Sequence, residues 1–352
     1  MSIVILGGGY AGALAAARIG KKQRVTLIEQ AEGLVERIRL HQVAAGDDIA
    51  PVSYDQLFRG LDVDVIRGRV ERIDRDAKRV VLSDGESVPY TQLIYALGST
   101  IDSPPNTFAL RGPDSAKALR RRLQAMESGR VAIVGGGLTA IEVAAEIAER
   151  FPSLEVSIVT RGRLGAGLSE KASKHLRGWF AAHNVALQEG RDGSEVDADL
   201  VVWCAGFGVA TIARDAGLAV DERGRTLVDE HLRTSDPSIF AVGDAAVVPF
   251  ADGELRMACA TAMPMGAYAA DYVLGETTDP FRFSFVTLCI SLGRRDGIIQ
   301  PRHADDSSRA TALTGRAAAW CKELICRFTI LGIRLERIGV PYAWPKTTLK
   351  AA

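Results

Sequence analysis

Ser2-Ile3-Val4-Ile5-Leu6-Gly7-Gly8-Gly9-Tyr10-Ala11-Gly12 starts as an apolar run and ends in a glycine turn. An alanine-rich segment of helical period follows, and then a second apolar run, Val25-Thr26-Leu27-Ile28-Glu29. Short apolar runs bounded by turn residues predict strands buried on both faces. The stretch therefore predicts a strand, a tight turn, a helix and a second strand parallel to the first. The same order recurs in mid-chain as Arg130-Val131-Ala132-Ile133-Val134, Gly135-Gly136-Gly137-Leu138-Thr139-Ala140, an Ala/Glu-rich helix, and Val156-Ser157-Ile158-Val159-Thr160. One chain carries two βαβ units.

The repeat extends outward from these cores. Tyr90 to Ser99 has a counterpart in Asp197 to Phe207, each a buried strand ending at a glycine, Gly98 or Gly206. Val65 to Asp74 and Val80 to Gly85 read as strands with tight turns, a stretch the second half shortens to Glu189 to Ser194. A last short strand, Ser238-Ile239-Phe240-Ala241-Val242, ends in Gly243-Asp244-Ala245 and precedes a helical segment from Ala258 to Leu274. This predicts a return of the chain to the first unit. The fold class expected is α/β, with two Rossmann-like dinucleotide-binding domains, one inserted into the other, plus a small C-terminal region. The expected boundaries are 1–112 with 238–280 for the first domain, 113–237 for the inserted one and 281–352 for the remainder.

A pyrophosphate is held by backbone N–H groups at a helix N-terminus with no side chain in the way. In the first turn Gly7 allows the bend, Gly9 allows close approach of the phosphates, and Gly12 lets helix and strand pack. Glu29, ending the second strand, suits the ribose hydroxyls of an adenosine. The second turn is Gly135-x-Gly137-x-x-Ala140, with Thr160 in the acid's place and Arg161 and Arg163 beside it. An uncharged residue followed by arginines predicts that NADPH serves at least as well as NADH, because a guanidinium pairs with a 2′-phosphate. Gly243 and Asp244 supply a carboxylate for a ribityl chain, and the helix after them aims its positive end at a flavin. The cofactors expected are FAD in the first unit and NAD(P)H in the second.

Together these segments resemble the pyridine nucleotide–disulfide oxidoreductase superfamily, most closely its type II NADH dehydrogenase and apoptosis-inducing-factor-like members, over residues 1 to about 300. The resemblance implies FAD contacts at Gly7, Gly9, Gly12, Glu29, Val70, Ala96, Gly98 and Asp244. It also implies that Gly135, Gly137, Thr139 and Glu142 line the nicotinamide cofactor, with Glu142 near the nicotinamide. Two departures stand out. Where disulfide reductases carry a redox cysteine pair, this chain has Arg37-Ile38-Arg39-Leu40-His41-Gln42-Val43. Where type II NADH dehydrogenases carry glutamines after Gly-Asp, it has Ala258 to Gly266. His41 and Gln42 are candidates for the flavin face away from nicotinamide, with packing as the alternative role.

The expected activity is that of an FAD-dependent NAD(P)H dehydrogenase or reductase: hydride transfer from nicotinamide C4 to flavin N5, then electron transfer to a quinone or another small acceptor on the opposite flavin face. A biosynthetic flavoenzyme, a ferredoxin-type reductase and a redox-sensing interaction protein are the competing readings. Lys and Arg balance Asp and Glu at 43 each, so no overall basic field draws nucleic acid to the chain. The five cysteines include no CxxC spacing, which predicts neither a disulfide framework nor a metal site. The N-terminus has no signal-peptide pattern and no apolar run is long enough to span a bilayer, so a cytoplasmic location is expected. Cys321, Leu324, Ile325, Phe328, Leu331, Leu335 and Ile338 fall on one helical stripe. Core packing, homodimerisation and peripheral contact with the inner membrane face are the three roles such a stripe could serve.

Overall fold

The computed structural model describes residues 2–346. Its first sheet has five parallel strands in the order Ile239–Ala241, Gln92–Tyr95, Ile3–Leu6, Val25–Glu29, Val63–Arg67. Ile3–Leu6 lies at the centre, with Ile3 opposite Val25 on one side and Gln92 on the other. All four of its side chains are buried, as an interior parallel strand requires. The chain moves outward from this strand on one side and then returns on the other. The strand order reverses there, and in open parallel sheets that reversal leaves a crevice at the carboxyl ends of the strands.

The second sheet repeats the plan in the order Ala186–Glu189, Leu154–Thr160, Gly129–Val134, Leu200–Trp203. Phe108, just ahead of the inserted segment, bridges in parallel to Val202 and extends this sheet by a position. An antiparallel sheet, Val70–Asp74, Arg79–Leu82 and Ser87–Pro89, leaves and rejoins the first unit. Helix Tyr10–Gly20 packs along helix Cys259–Val273 at close range: a methyl group at Gly266 would overlap the Ala11 carbonyl oxygen.

The C-terminal region is a three-stranded antiparallel sheet, Thr287–Leu292, Asp296–Pro301 and Leu313–Thr314, followed by helix Arg316–Arg337. That helix buries Ala318, Cys326, Ile330 and Ile333, but also Lys322, Thr329 and Glu336. Glu336 is fully buried, taking hydrogen bonds from Arg18 at 2.7 Å, from the Tyr342 N–H at 2.6 Å, and from Lys21. These partners fasten the end of the helix to the first unit. The stripe singled out in the sequence faces the other way. None of its seven members is buried, and Phe328, Leu331 and Ile338 are exposed. It does not pack into this molecule's core, because the charged side chains on the opposite face find buried partners there. Among the described residues, no helix is long and apolar enough to cross a membrane.

Candidate active site

The two glycine turns match position by position. Gly7 and Gly135 both hold a positive φ, +94° and +138°, which an L side chain rarely adopts. Each lies against the backbone ending its neighbouring strand: a Cβ would stand 2.5 Å from the Ala96 oxygen at Gly7 and 3.1 Å from the Cys204 oxygen at Gly135. At Gly9 and Gly137 the situation reverses: apart from the turn's own neighbouring residues, no atom of the described residues lies within 4 Å of a Cβ. The protein's own packing does not require glycine there, so the open space suits a ligand that must approach the backbone. Gly12 packs on Gly7, whereas Ala140 tolerates its methyl in full burial.

Gly9 and Gly137 are the N-caps of helices Tyr10–Gly20 and Leu138–Arg150. Neither cap has a side-chain hydrogen bond and neither first turn has an acid. By contrast, helix Glu170–Ala182 is capped by Ser169 and opens with Glu170. The free N–H groups beside an open glycine cradle fit a pyrophosphate at both turns.

Glu29 accepts hydrogen bonds from the Gly8 N–H at 2.7 Å and the Ala31 N–H at 2.9 Å, which fixes its carboxylate at the lip of the first cradle. Across the crevice Ser99 donates to Asp244 at 2.7 Å, and Arg37 donates to the Ser99 carbonyl at 3.0 Å. Val70 and Ala96 are both buried in the core of this unit, and Gly98 turns the chain at φ +68°. Helix Cys259–Val273, which follows Gly243-Asp244, likewise begins without a side-chain cap. These residues fit FAD, with the pyrophosphate on the first turn and a carboxylate and a helix N-terminus for the rest.

In the second unit Thr160 is buried against Gly136, where a Cβ would stand 2.5 Å from its hydroxyl oxygen. Arg161 and Arg163 are exposed beside it and make no hydrogen bond or ion pair among the described residues. The nearby Glu189 carboxyl is held below its ordinary range chiefly by the Arg177 guanidinium and the Leu164 N–H, and that of Asp192 by Ser194, with Arg163 and Arg161 adding only a weaker, longer-range attraction.

Where the two units and the C-terminal region meet, the structure gathers a buried polar cluster. Glu142, on the helix after the second turn, receives an ion pair from Lys322 at 2.9 Å and a hydrogen bond from the Ser291 N–H at 3.0 Å. Burial alone would raise the Glu142 carboxyl, but Lys322 and His41 draw it below its usual value. Burial likewise opposes the Lys322 ammonium, and Glu142 overcomes it, holding Lys322 well above its usual value. His41 is fully enclosed, its Nδ1 3.8 Å from Glu142 and its Nε2 4.0 Å from Glu146. Burial pushes the imidazole down to about 4, so it is neutral at pH 7. Gln42 is buried beside it and accepts a hydrogen bond from Arg39 at 3.2 Å. Burial raises the Glu146 carboxyl to about 7 despite the Arg294 guanidinium 3.3 Å away.

Lys322 and Glu146 were missed by sequence reasoning. Glu146 had a legible signal, since it stands one helical turn from Glu142 on the same face. Lys322 had none until the helix's buried side was known. Cys259, Cys289 and Cys326 surround Lys322. Burial raises all three thiols, Cys259 to about 11 and Cys326 to about 12. They are thiols, not nucleophilic thiolates, at neutral pH.

Two glycine-cradle units with an inserted second domain and a charged junction define a two-dinucleotide flavoprotein. Residues 1–267 match the family described as pyridine nucleotide-disulphide oxidoreductase, and the chain belongs to it. It is an FAD- and NAD(P)H-dependent oxidoreductase. It is similar to the NADH dehydrogenase-like protein YutJ of Bacillus subtilis, 28% identical over 278 residues that cover 71% of this chain and 78% of that one. It is also similar to the demethylphylloquinone reductase NdbB of Synechocystis, 27% identical over 298 residues covering 72% and 74%. Among solved structures, NDH2 from Plasmodium falciparum in complex with NADH shares the fold, with a TM-score of 0.77, 15% identity, and coverage of 98% and 99%. Reduced Bacillus anthracis CoADR-RHD shares it too, at TM-score 0.74 and 21% identity. The match covers 86% of this chain, which spans only 61% of that longer one.

Proposed function

We propose that the chain oxidises NAD(P)H and delivers the electrons to a quinone or a similar small acceptor at the junction of Glu142, His41 and Lys322. Bound FAD would supply the redox chemistry, taking a hydride at N5 from nicotinamide C4 and passing two electrons to the acceptor. Gly7, Gly9, Gly12, Glu29, Val70, Ala96, Gly98, Gly243 and Asp244 would hold it. Gly135, Gly137 and Thr139 would hold the nicotinamide cofactor, and Thr160, Arg161 and Arg163 would receive a 2′-phosphate. Glu142 stands five positions past Gly137 on the same helix, and so would lie beyond the pyrophosphate at the edge of the reacting rings, where His41 and Lys322 join it and an acceptor on the flavin's other face would meet it. The domain limits that go with this reading are 1–112 and 238–280 for FAD, and 113–237 for NAD(P)H.

The observation that carries the proposal is the buried Glu142–Lys322 pair. It joins the inserted unit to the C-terminal helix, with His41 of the first unit beside it. An ion pair this buried is a weak source of stability, and perturbed buried charges cluster at functional sites. The exposed stripe of the C-terminal helix, flanked by Arg316, Arg327 and Arg334, suits a lipid surface from which a lipophilic acceptor would arrive. Homodimerisation through the same stripe is the competing use.

Anaerobic mixing with NADPH or NADH tests the reading. The flavin absorbance should bleach within the dead time or a few turnovers, and a short-chain quinone should restore it. A reduced protein that persists unchanged with quinones and dyes would overturn the enzyme reading in favour of a redox sensor.

A further inference from the structure

We propose that Glu146 and His41 form a proton path from the Asp47–Arg294 surface to Glu142, supplying the solvent proton that acceptor reduction consumes. The inference rests on the oxidoreductase reading above. In that reaction NAD(P)H, an acceptor quinone and one proton give NAD(P)⁺ and a quinol. Two electrons and one hydrogen come from nicotinamide, and the second hydrogen must come from water.

The geometry lines up the groups such a transfer needs. Arg294 is half-exposed and bridges Asp47 at 3.8 Å to the buried Glu146 at 3.3 Å. Glu146 faces His41 Nε2, which is buried and has no hydrogen-bond partner of its own among the described residues. His41 Nδ1 faces the Glu142 oxygen not used by Lys322: the imidazole addresses Oε2, while Lys322 and the Ser291 N–H hold Oε1. Separations of 3.8 and 4.0 Å exceed a hydrogen bond, but such contacts are often long in unliganded enzymes and tighten when the complex forms.

A proton would pass from the Glu146 carboxyl to His41 Nε2 as the Nδ1 proton passes to Glu142 Oε2. Glu142 then protonates the acceptor oxygen. Glu146 is reprotonated from solvent past Arg294, and reorientation of the imidazole presents the protonated Nε2 to Glu142 and the bare Nδ1 to Glu146 for the next transfer. The Glu146 carboxyl, poised at about 7, both holds and releases a proton near neutrality. The groups facing it are Arg294, Asp47, Glu149 and His41. Those around His41 are Glu142, Lys322, Arg294 and Arg39, with Glu36 and Glu323 paired to Arg39 in turn. Glu146 and His41 are positioning residues, acting through Glu142.

The experiment compares wild type, Glu146→Gln and Arg294→Gln as FAD-loaded full-length protein. Two acceptors are used, a soluble quinone, which takes protons, and ferricyanide, which takes only electrons. Glu146→Gln should slow quinone reduction about tenfold or more and lose the inflection near neutral pH, while ferricyanide reduction stays within about twofold. Arg294→Gln lies at the surface, so folding is spared; it should move that inflection upward, since the guanidinium lowers the Glu146 carboxyl. Independently of turnover, the infrared carboxylic-acid band of the resting protein should titrate near neutrality in wild type and vanish in Glu146→Gln. A wild type that reduces neither acceptor overturns the oxidoreductase reading. A wild type that reduces both, matched by Glu146→Gln at every pH or with no titrating band, overturns the proton path alone. Equal loss with both acceptors also overturns it, assigning Glu146 a structural role.

Discussion

Replacing Lys322 with Met removes one charge from the buried pair and leaves the other. Met keeps the length and apolar stem of the side chain, so the change is mainly electrostatic. At 2.9 Å between Lys322 and Glu142, with an effective dielectric of about 20, the direct attraction is about 6 kcal/mol. Desolvating both ions offsets most of it. Deleting one partner removes the attraction but keeps the cost of the other, so the expected loss is about 3–5 kcal/mol. The pH dependence separates this from a packing defect. In the parent, Glu142 lies below its ordinary 4.5 and Lys322 above its ordinary 10.5, so the pair's contribution is fully present between those values. It is lost as pH falls through the folded Glu142 pKa, or rises through that of Lys322. In the variant, burial dominates and lifts the Glu142 carboxyl above 4.5. Its stability should then fall as pH rises from that value to the new pKa. Urea denaturation of FAD-saturated protein should show a larger deficit relative to the parent at pH 8 than at pH 5. Adding Glu142→Gln should recover most of it. A deficit below about 1 kcal/mol, equal at both pH values, would refute the argument, because that is the scale of an exposed pair.

Two further outcomes follow from the same structure. Arg161→Ala with Arg163→Ala should lower kcat/KM for NADPH about tenfold or more and leave NADH within about twofold, read by initial rates; a wild type favouring NADH tenfold would refute the assignment. Phe328→Asp with Leu331→Asp should weaken co-sedimentation with anionic vesicles about tenfold, since both side chains are exposed on the C-terminal stripe; unchanged binding together with loss of a dimer in sedimentation would assign the stripe to self-association.

The sequence by itself determined what repeats locally. Two glycine turns, each between an apolar run and a helical period, specify two βαβ units, because positive φ and close backbone approach admit almost nothing but glycine. Gly7 and Gly135 are legible for that reason, as is the contrast between Glu29 and Thr160, since each ends the second strand of its own unit. Tertiary structure alone decided the junction. His41, Glu142, Ser291 and Lys322 come from four separate elements, and no spacing in the chain announces that they meet. The C-terminal helix shows the physical reason most clearly. Its periodicity marked an apolar stripe but left core packing, self-association and lipid contact all open, and in the folded chain the opposite face is the one enclosed. Lys322 and Glu336 could be buried only because Glu142 in one case, and Arg18 and Lys21 in the other, were brought within reach by folding. A charge's partner is a property of the assembled chain, whereas a glycine's φ belongs to its own turn.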